Sequence, residues 1–277
     1  MGDRIQALID QGYHFNVGDY ISKGLQYYRN NFGPITILIG ISSLIPVLLN
    51  LIGVTSIVGL LNLLLITPFV TGAMAIFLRK ASNEEHPTLE TFGAARDHMK
   101  NLIIYNVLYS LVLLLCFIPF FIFAAQGGAF NMMLSAIENP TFLVSMLVGY
   151  MGGGIVIVML LCMIPFVYLA VAYWWTPYLI VYKGMDPWPA MEASRKLVSK
   201  KWGNHFSLAF LIGLIAILLG LFSYIFTFSS YLSILVELAI GVIVGAFFSC
   251  ALFAAYENIV GFEDDPEGYD PIDHLVS

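Results

Sequence analysis

The chain has 277 residues, 59% of them hydrophobic and 11% charged, with a mean hydropathy of +0.85. A soluble domain carries about 25% charged residues, so this chain lacks the charge to coat a water-facing surface. Its net charge of −6 excludes the clustered basic surface that nucleic-acid binding demands. The composition predicts an all-α, polytopic membrane protein.

The opening "MGDRIQALIDQGYHF" has no basic region followed by an apolar one, so no cleavable signal peptide is expected. Next comes an amphipathic stretch. Val17, Tyr20, Ile21, Gly24, Leu25, Tyr28 and Phe32 recur at three-and-four spacing, with Asp19, Lys23 and Arg29 on the other face. Two apolar runs follow, at about 34–53 and 54–78, each near the roughly 20 residues that a span needs. A second amphipathic stretch starts after Pro87-Thr88, with Leu89, Phe92, Ala95, Met99 and Leu102 as its stripe, and leads into a third run at about 102–125.

The segment 127–153 is the difficult one. Read continuously, Thr141 to Tyr182 would make about 42 residues of helix, or ~63 Å, twice a bilayer. Gly152-Gly153-Gly154 is the natural break, so 129–150 is expected to stay outside as an interfacial or re-entrant helix, with Glu138 near its "ENP" turn. A fourth run covers about 154–182. The third amphipathic stretch, after Asp186-Pro187, has Ala190, Ala193, Leu197, Val198 and Trp202 as its stripe. The last runs lie at about 206–228 and 231–256, and the chain ends in an acidic tail, 261–277, whose acids begin at Glu263.

With alternate loops assigned to opposite sides, all 12 Lys and Arg fall on one side. They sit in the N-terminal segment, the loop from Arg79 to Lys100, and the loop from Lys183 to Lys201. Cytoplasmic loops collect Lys and Arg, so both termini are expected in the cytoplasm, in a bacterial inner membrane. The fold reading is therefore six transmembrane helices with three cytoplasmic interfacial amphipathic helices. One transmembrane domain, 1–260, is divided into units of about 16–78, 87–182 and 187–258. Amphipathic helices of this kind lie in the headgroup region with basic side chains on anionic lipid. The expected headgroup contacts are Arg29, Arg195, Lys196, Lys200, Lys201 and Trp202.

The run "TPYLIVYKGMDPWPAMEASRKLVSKKWGNHF" resembles the recurring signature of a loose group of bacterial six-span membrane proteins of the YciC-like type. The membrane domain attached to some glycerophosphodiester phosphodiesterases shares it. That signature is a Pro-x-x-Ile/Val stretch, a short polar turn, Ala-Met/Leu-x-x-Ser, and a basic-aromatic step into a span. Pro177, Ile180, Ala190, Met191, Ser194 and Trp202 fill those places. The resemblance implies a six-span bundle and carries no catalytic residues to transfer. The phosphodiesterase domain itself is absent from this sequence.

Few residues ask for chemistry. Glu237 is the one acid well inside an expected span, and intramembrane carboxylates usually face the bundle interior or a wet path. It reads either as a proton or cation site, or as a hydrogen-bonded acid near the outer surface. Gly241, Gly245 and Ser249 continue from it at i+4 as a small-residue packing stripe. Asn62 and Asn106, also inside expected spans, read as interhelical hydrogen-bond groups or caps, and with Glu237 they form the candidate polar site. Pro46, Pro68, Pro119, Pro165 and Pro177 predict kinks. Cys116, Cys162 and Cys250 have neither disulfide nor metal spacing. No HExxH, GxSxG or phosphate loop appears, so no cofactor, metal or catalytic residue is expected.

Three readings of function remain. The first is a scaffold or accessory component of a membrane or envelope system, bound to anionic headgroups and docking a protein partner through the acidic tail. The second is a transporter or flippase for a small amphiphile or lipid, using Glu237. The third is an intramembrane lipid-modifying enzyme.

Overall fold

The computed structural model describes residues 3–51, 55–83, 87–126, 152–223 and 230–262. The expected interfacial segment 129–150, its Glu138, and the acidic tail from Glu263 lie outside the described residues. Every element in the described residues is helical, and six helices are long and apolar enough to cross a membrane. The protein is an all-α, multi-pass membrane protein.

Two short helices lead the chain, α1 (Asp3–Gln11) and α2 (Val17–Asn30), and α3 (Phe32–Leu51) is the first span. The second span is built from α4 (Thr55–Leu61), a π-helical turn (Asn62–Ile66) and α5 (Thr67–Ser82). A 3₁₀ segment (Leu89–His98) runs into α6 (Met99–Leu115), and α7 (Ile118–Gln126) follows. After 127–151 come α8 (Gly152–Ala172), α9 (Thr176–Lys183), α10 (Pro187–Ser199), α11 (Trp202–Ser223) and α12 (Ser230–Ile259).

The third span differs from its expected bounds of 102–125. The apolar window runs over Glu90–Leu115, and the helix stops at Cys116-Phe117, where the amides close tight turns onto the Leu113 and Leu114 carbonyls. Pro119, which has no N–H to give and crowds the carbonyl four residues back, is the physical reason. The middle amphipathic stretch also differs in being 3₁₀-helical. Its buried residues Phe92 and Ala95 stand three apart, matching three residues per turn.

The sequence reading takes 1–260 as one transmembrane domain, whereas contacts group the chain into two compact units. One comprises Met1–Val107 with Ala172–Ser277, the other Leu108–Val171. In the second unit Phe117 and Phe166 pack edge-on at 5.3 Å, while Leu161 and Ile164 are exposed, as lipid-facing side chains are.

The first unit holds the amphipathic elements, and their packing has a cyclic order. The 3₁₀ segment packs on α5, the end of the span before it, and α10 packs on α9, again the end of the span before it. α2 packs on α12, the sixth span. Small residues make these approaches close. A Cβ on Gly24 of α2 would stand 2.7 Å from the Ala251 Cα in α12, and one on Gly72 of α5 would meet Ala95 at 3.4 Å and Leu102 at 2.8 Å. The α2–α12 seam also carries hydrogen bonds from the Tyr20 hydroxyl to Asn258 Oδ1 (2.9 Å) and from the Tyr27 hydroxyl to Glu257 Oε2 (2.6 Å). Burial, then the Asp19 carboxylate, pushes the Tyr20 phenol up to about 12, so it acts as a neutral donor.

Contacts thus place the buried stripe of α2 (Tyr20, Gly24 and Tyr28) against protein, whereas Leu25 and Phe32 of the expected stripe are exposed. We predict that Gly24→Ala destabilises the protein by about 1–3 kcal/mol through overpacking against backbone. Gly213→Ala on α11, where a Cβ meets nothing within 4 Å, should be neutral. Thermal unfolding in detergent checks this, and equal midpoints for the two variants would remove the α2–α12 seam from the core.

Candidate functional site

The prolines disturb the helices locally, and named side chains repair them. Pro68 has no N–H, and just before it the ladder slips to i→i+5, with the Thr67 amide donating to the Asn62 carbonyl. The Leu63 carbonyl thereby loses Thr67 as a donor and would next meet Pro68. Asn106, buried on α6, reaches across and donates Nδ2 to it at 3.3 Å. Pro177 has the same effect between α8 and α9. The Thr176 amide turns back to Tyr173, leaving the Ala172 carbonyl unclaimed. Fully buried Ser194 donates its hydroxyl to that carbonyl at 2.8 Å and accepts from the Trp175 amide at 3.2 Å. The Tyr105 hydroxyl donates to the Tyr173 carbonyl at 3.4 Å. Ser194 and Pro177, two places in the signature quoted above, are therefore coupled by a backbone break and its repair.

The π turn and Pro46 also flank an opening. A groove of about 690 Å³ runs along the seam between α3 and α5, within the range of small-ligand sites. Its walls are apolar: Ile37, Ile41 and Ile45 on α3, and Leu65, Phe69 and Val70 opposite. It is open-sided, since Ile41 is 56% and Leu65 51% exposed. One end is closed by the 3₁₀ segment, which presents Glu90, Gly93 and Arg96. Toward the other end it shares Ser42, Ile66 and Val70 with a smaller polar pocket of about 260 Å³, lined also by Ser43, Asn62, Thr67 and Thr71. Pro46 borders that pocket and supplies no N–H to the Ser42 carbonyl four residues back. On the second span the two pockets are lined by residues between Asn62 and Thr71, over the π turn and the start of α5. π turns are frequent at functional sites.

The expected site residues are distributed as follows. Asn62 and Asn106 both meet at the π turn, Asn62 lining the polar pocket and Asn106 bonding the neighbouring carbonyl. Glu237 stands apart from them, exposed near the start of α12 and within the first turn of its apolar window, Ile234–Ile259. That position suits an acid at a wet border and does not suit a bundle interior. Gly241 and Gly245 make no close helix contact among the described residues, where nothing lies within 4 Å of a Cβ at either. That face of α12 looks outward, while Ala246, Cys250 and Ala251 look inward. Ser249 donates its hydroxyl to the Gly245 carbonyl within its own helix.

Of the expected headgroup contacts, Arg29, Lys200 and Lys201 are exposed. Arg195 is held by Glu192 through two bonds of 2.8 and 2.9 Å, with Lys196 3.4 Å from the same carboxylate. The hydrogen bond from Arg195 holds Glu192 below the usual carboxylate range. Trp202 is half-buried and stacked on Phe206 at 5.1 Å.

Sequence reasoning passed over His205, one of five scattered histidines, yet it is fully buried. Its Nε2 lies 2.9 Å from the Tyr13 hydroxyl, which donates to the Leu197 carbonyl at 3.0 Å. The Trp175 and Phe15 rings pack on the imidazole at 4.7 and 4.2 Å. Burial pushes the Tyr13 phenol up, so this contact is a neutral latch fastening the N-terminal segment. Among the described residues no three His, Cys, Asp or Glu are grouped to hold a metal.

No protein-family model, curated protein or solved structure matches the chain.

We predict that Ser194→Ala and Asn106→Leu each cost about 1–3 kcal/mol, because each leaves a buried carbonyl without its donor. Ser194→Thr, which keeps the hydroxyl, should recover part of the loss. Unfolding midpoints of the three variants measure it, and a Ser194→Ala protein as stable as wild type would show that the break at 172–177 needs no repair.

Proposed function

We propose that this multi-pass membrane protein binds and moves an amphiphile, with the groove between α3 and α5 receiving its apolar chain. One observation carries the reading: an open apolar groove at membrane depth whose closed end is charged and whose far end is polar. Within a bilayer, an open groove of this kind faces acyl chains. The polar residues around Asn62 and Thr67 offer partners to a group that could not otherwise leave the interface, since an unsatisfied polar group in hydrocarbon costs several kcal/mol. With all 12 Lys and Arg falling on one side of the expected topology, the positive-inside bias supports placing the charged rim in the cytoplasm of a bacterial inner membrane. The resemblance to the YciC-like group is consistent with this reading and supplies no substrate.

The transport role thus moves from Glu237 to the seam. The scaffold reading leaned on the acidic tail, whose residues from Glu263 onward lie outside the described structure, and nothing in the groove favours an enzyme.

The test is lipid retention and flux in proteoliposomes. Ile41→Trp fills the groove and should cut both the phospholipid retained through purification and the flux of a labelled lipid by about tenfold or more. Ile217→Trp, at an equally exposed position on α11, and Glu237→Gln should leave both unchanged. Undiminished flux in Ile41→Trp would reject the groove, and loss of flux in Glu237→Gln alone would return the function to the outer end of α12.

A further inference from the structure

The 3₁₀ segment sets an unusual charge pattern at the groove's closed end. With three residues per turn, side chains at i and i+3 eclipse one another, so Glu90, Gly93 and Arg96 share one face while Phe92 and Ala95 lie on the buried one. That face lines the groove together with Phe92. At about 2.0 Å rise per residue, Glu90 and Arg96 start ~12 Å apart along the axis, and both are long side chains that can lean toward each other. Between them Gly93 leaves a recess, for a Cβ there would meet nothing within 4 Å. Both charged residues are exposed, and among the described residues neither is in an ion pair. An acid and a base thus stand at the two sides of a recess, above an apolar channel, without neutralising each other.

This pattern selects among lipids. A purely anionic headgroup would meet Arg96 favourably and Glu90 unfavourably. A headgroup with a phosphodiester and a primary ammonium satisfies both, the phosphate accepting from the guanidinium and the ammonium donating to the carboxylate. A quaternary ammonium has no N–H to give. We propose, building on the groove assignment above, that Glu90 and Arg96 form a headgroup site for a zwitterionic phospholipid of the phosphoethanolamine type, its chain lying between α3 and α5.

The experiment uses the full-length protein in nanodiscs, with native mass spectrometry reading retention of phosphatidylethanolamine, phosphatidylcholine and phosphatidylglycerol supplied in equal amounts. Wild type should retain phosphatidylethanolamine over phosphatidylglycerol by about fivefold, the scale of an exposed charge pair, with phosphatidylcholine between. Glu90→Gln should erase that preference, and Glu90→Lys should reverse it toward phosphatidylglycerol. Arg96→Gln should weaken all three. Both Glu90 and Arg96 are exposed, so the fold should tolerate the changes, and matched unfolding midpoints would verify it. Equal retention of the three lipids by wild type, or a phosphatidylethanolamine preference that survives Glu90→Lys, overturns the headgroup site. Ile41→Trp separates the two levels. If it abolishes retention while the Glu90 variants change nothing, the groove stands and the headgroup assignment falls. If it retains lipid as wild type does, both fall.

Discussion

In hydrocarbon there is no water to accept or donate a hydrogen bond, so each backbone group that a proline frees must find a partner inside the protein. Much of the first unit's architecture follows from this one requirement. Pro177 breaks the fourth apolar helix, and Ser194 on the following amphipathic helix answers both sides of the break. Pro68 shifts the second span into a π turn, and Asn106 on the third span answers the carbonyl left behind. Each repair comes from a different element than the break, so the repairs also fix which elements touch. A buried polar side chain here specifies topology, and its loss costs more than the bond it makes, because the stranded partner stays buried.

The same economy of contact appears in the cyclic packing of the amphipathic elements. Each lies on the end of the span before it, and the first lies on the last. Without a hydrophobic drive between helices in lipid, close packing depends on small residues that let backbones approach. Gly24 on Ala251 and Gly72 on Ala95 meet that condition. Where α3 and α5 diverge instead, beside Pro46 and the π turn, the seam opens into the groove. The groove is the place where tight packing stops.

Much of this was readable from the residues. The six apolar runs and the three amphipathic stretches follow from local composition and period, and those signals survive folding. The boundaries of the third span did not follow, since Leu102–Ala125 carries no charged residue to mark an end and hydropathy does not register where a proline halts a helix. The 3₁₀ form was half visible: Leu89, Phe92 and Ala95 are spaced by three, but Met99 restores a four and the stretch reads as α. Gly241 and Gly245 have the spacing of a packing stripe, but spacing only permits contact, and the partner backbone approaches Gly24 instead. For Glu237 the sequence left two readings, an interior site or an acid near the outer surface, and its exposure near the start of the span favours the second. The groove has no sequence signature, because it exists only between two helices that are neither tightly packed nor fully parted.

The pairing of α2 with α12 has a consequence for how the protein is made. Their hydrogen bonds join residues 230 and 238 positions apart, and the ribosome delivers one partner long before the other. Until α12 emerges, Gly24 and the Tyr20 and Tyr27 hydroxyls lack their partners on that span. A lipid surface is the natural temporary home for such an amphipathic helix. The newborn chain is therefore a string of hairpins with an unclosed ring, and a ribosome stalled before residue 230 would leave its leading helix afloat in the headgroups, open to proteases until translation resumes.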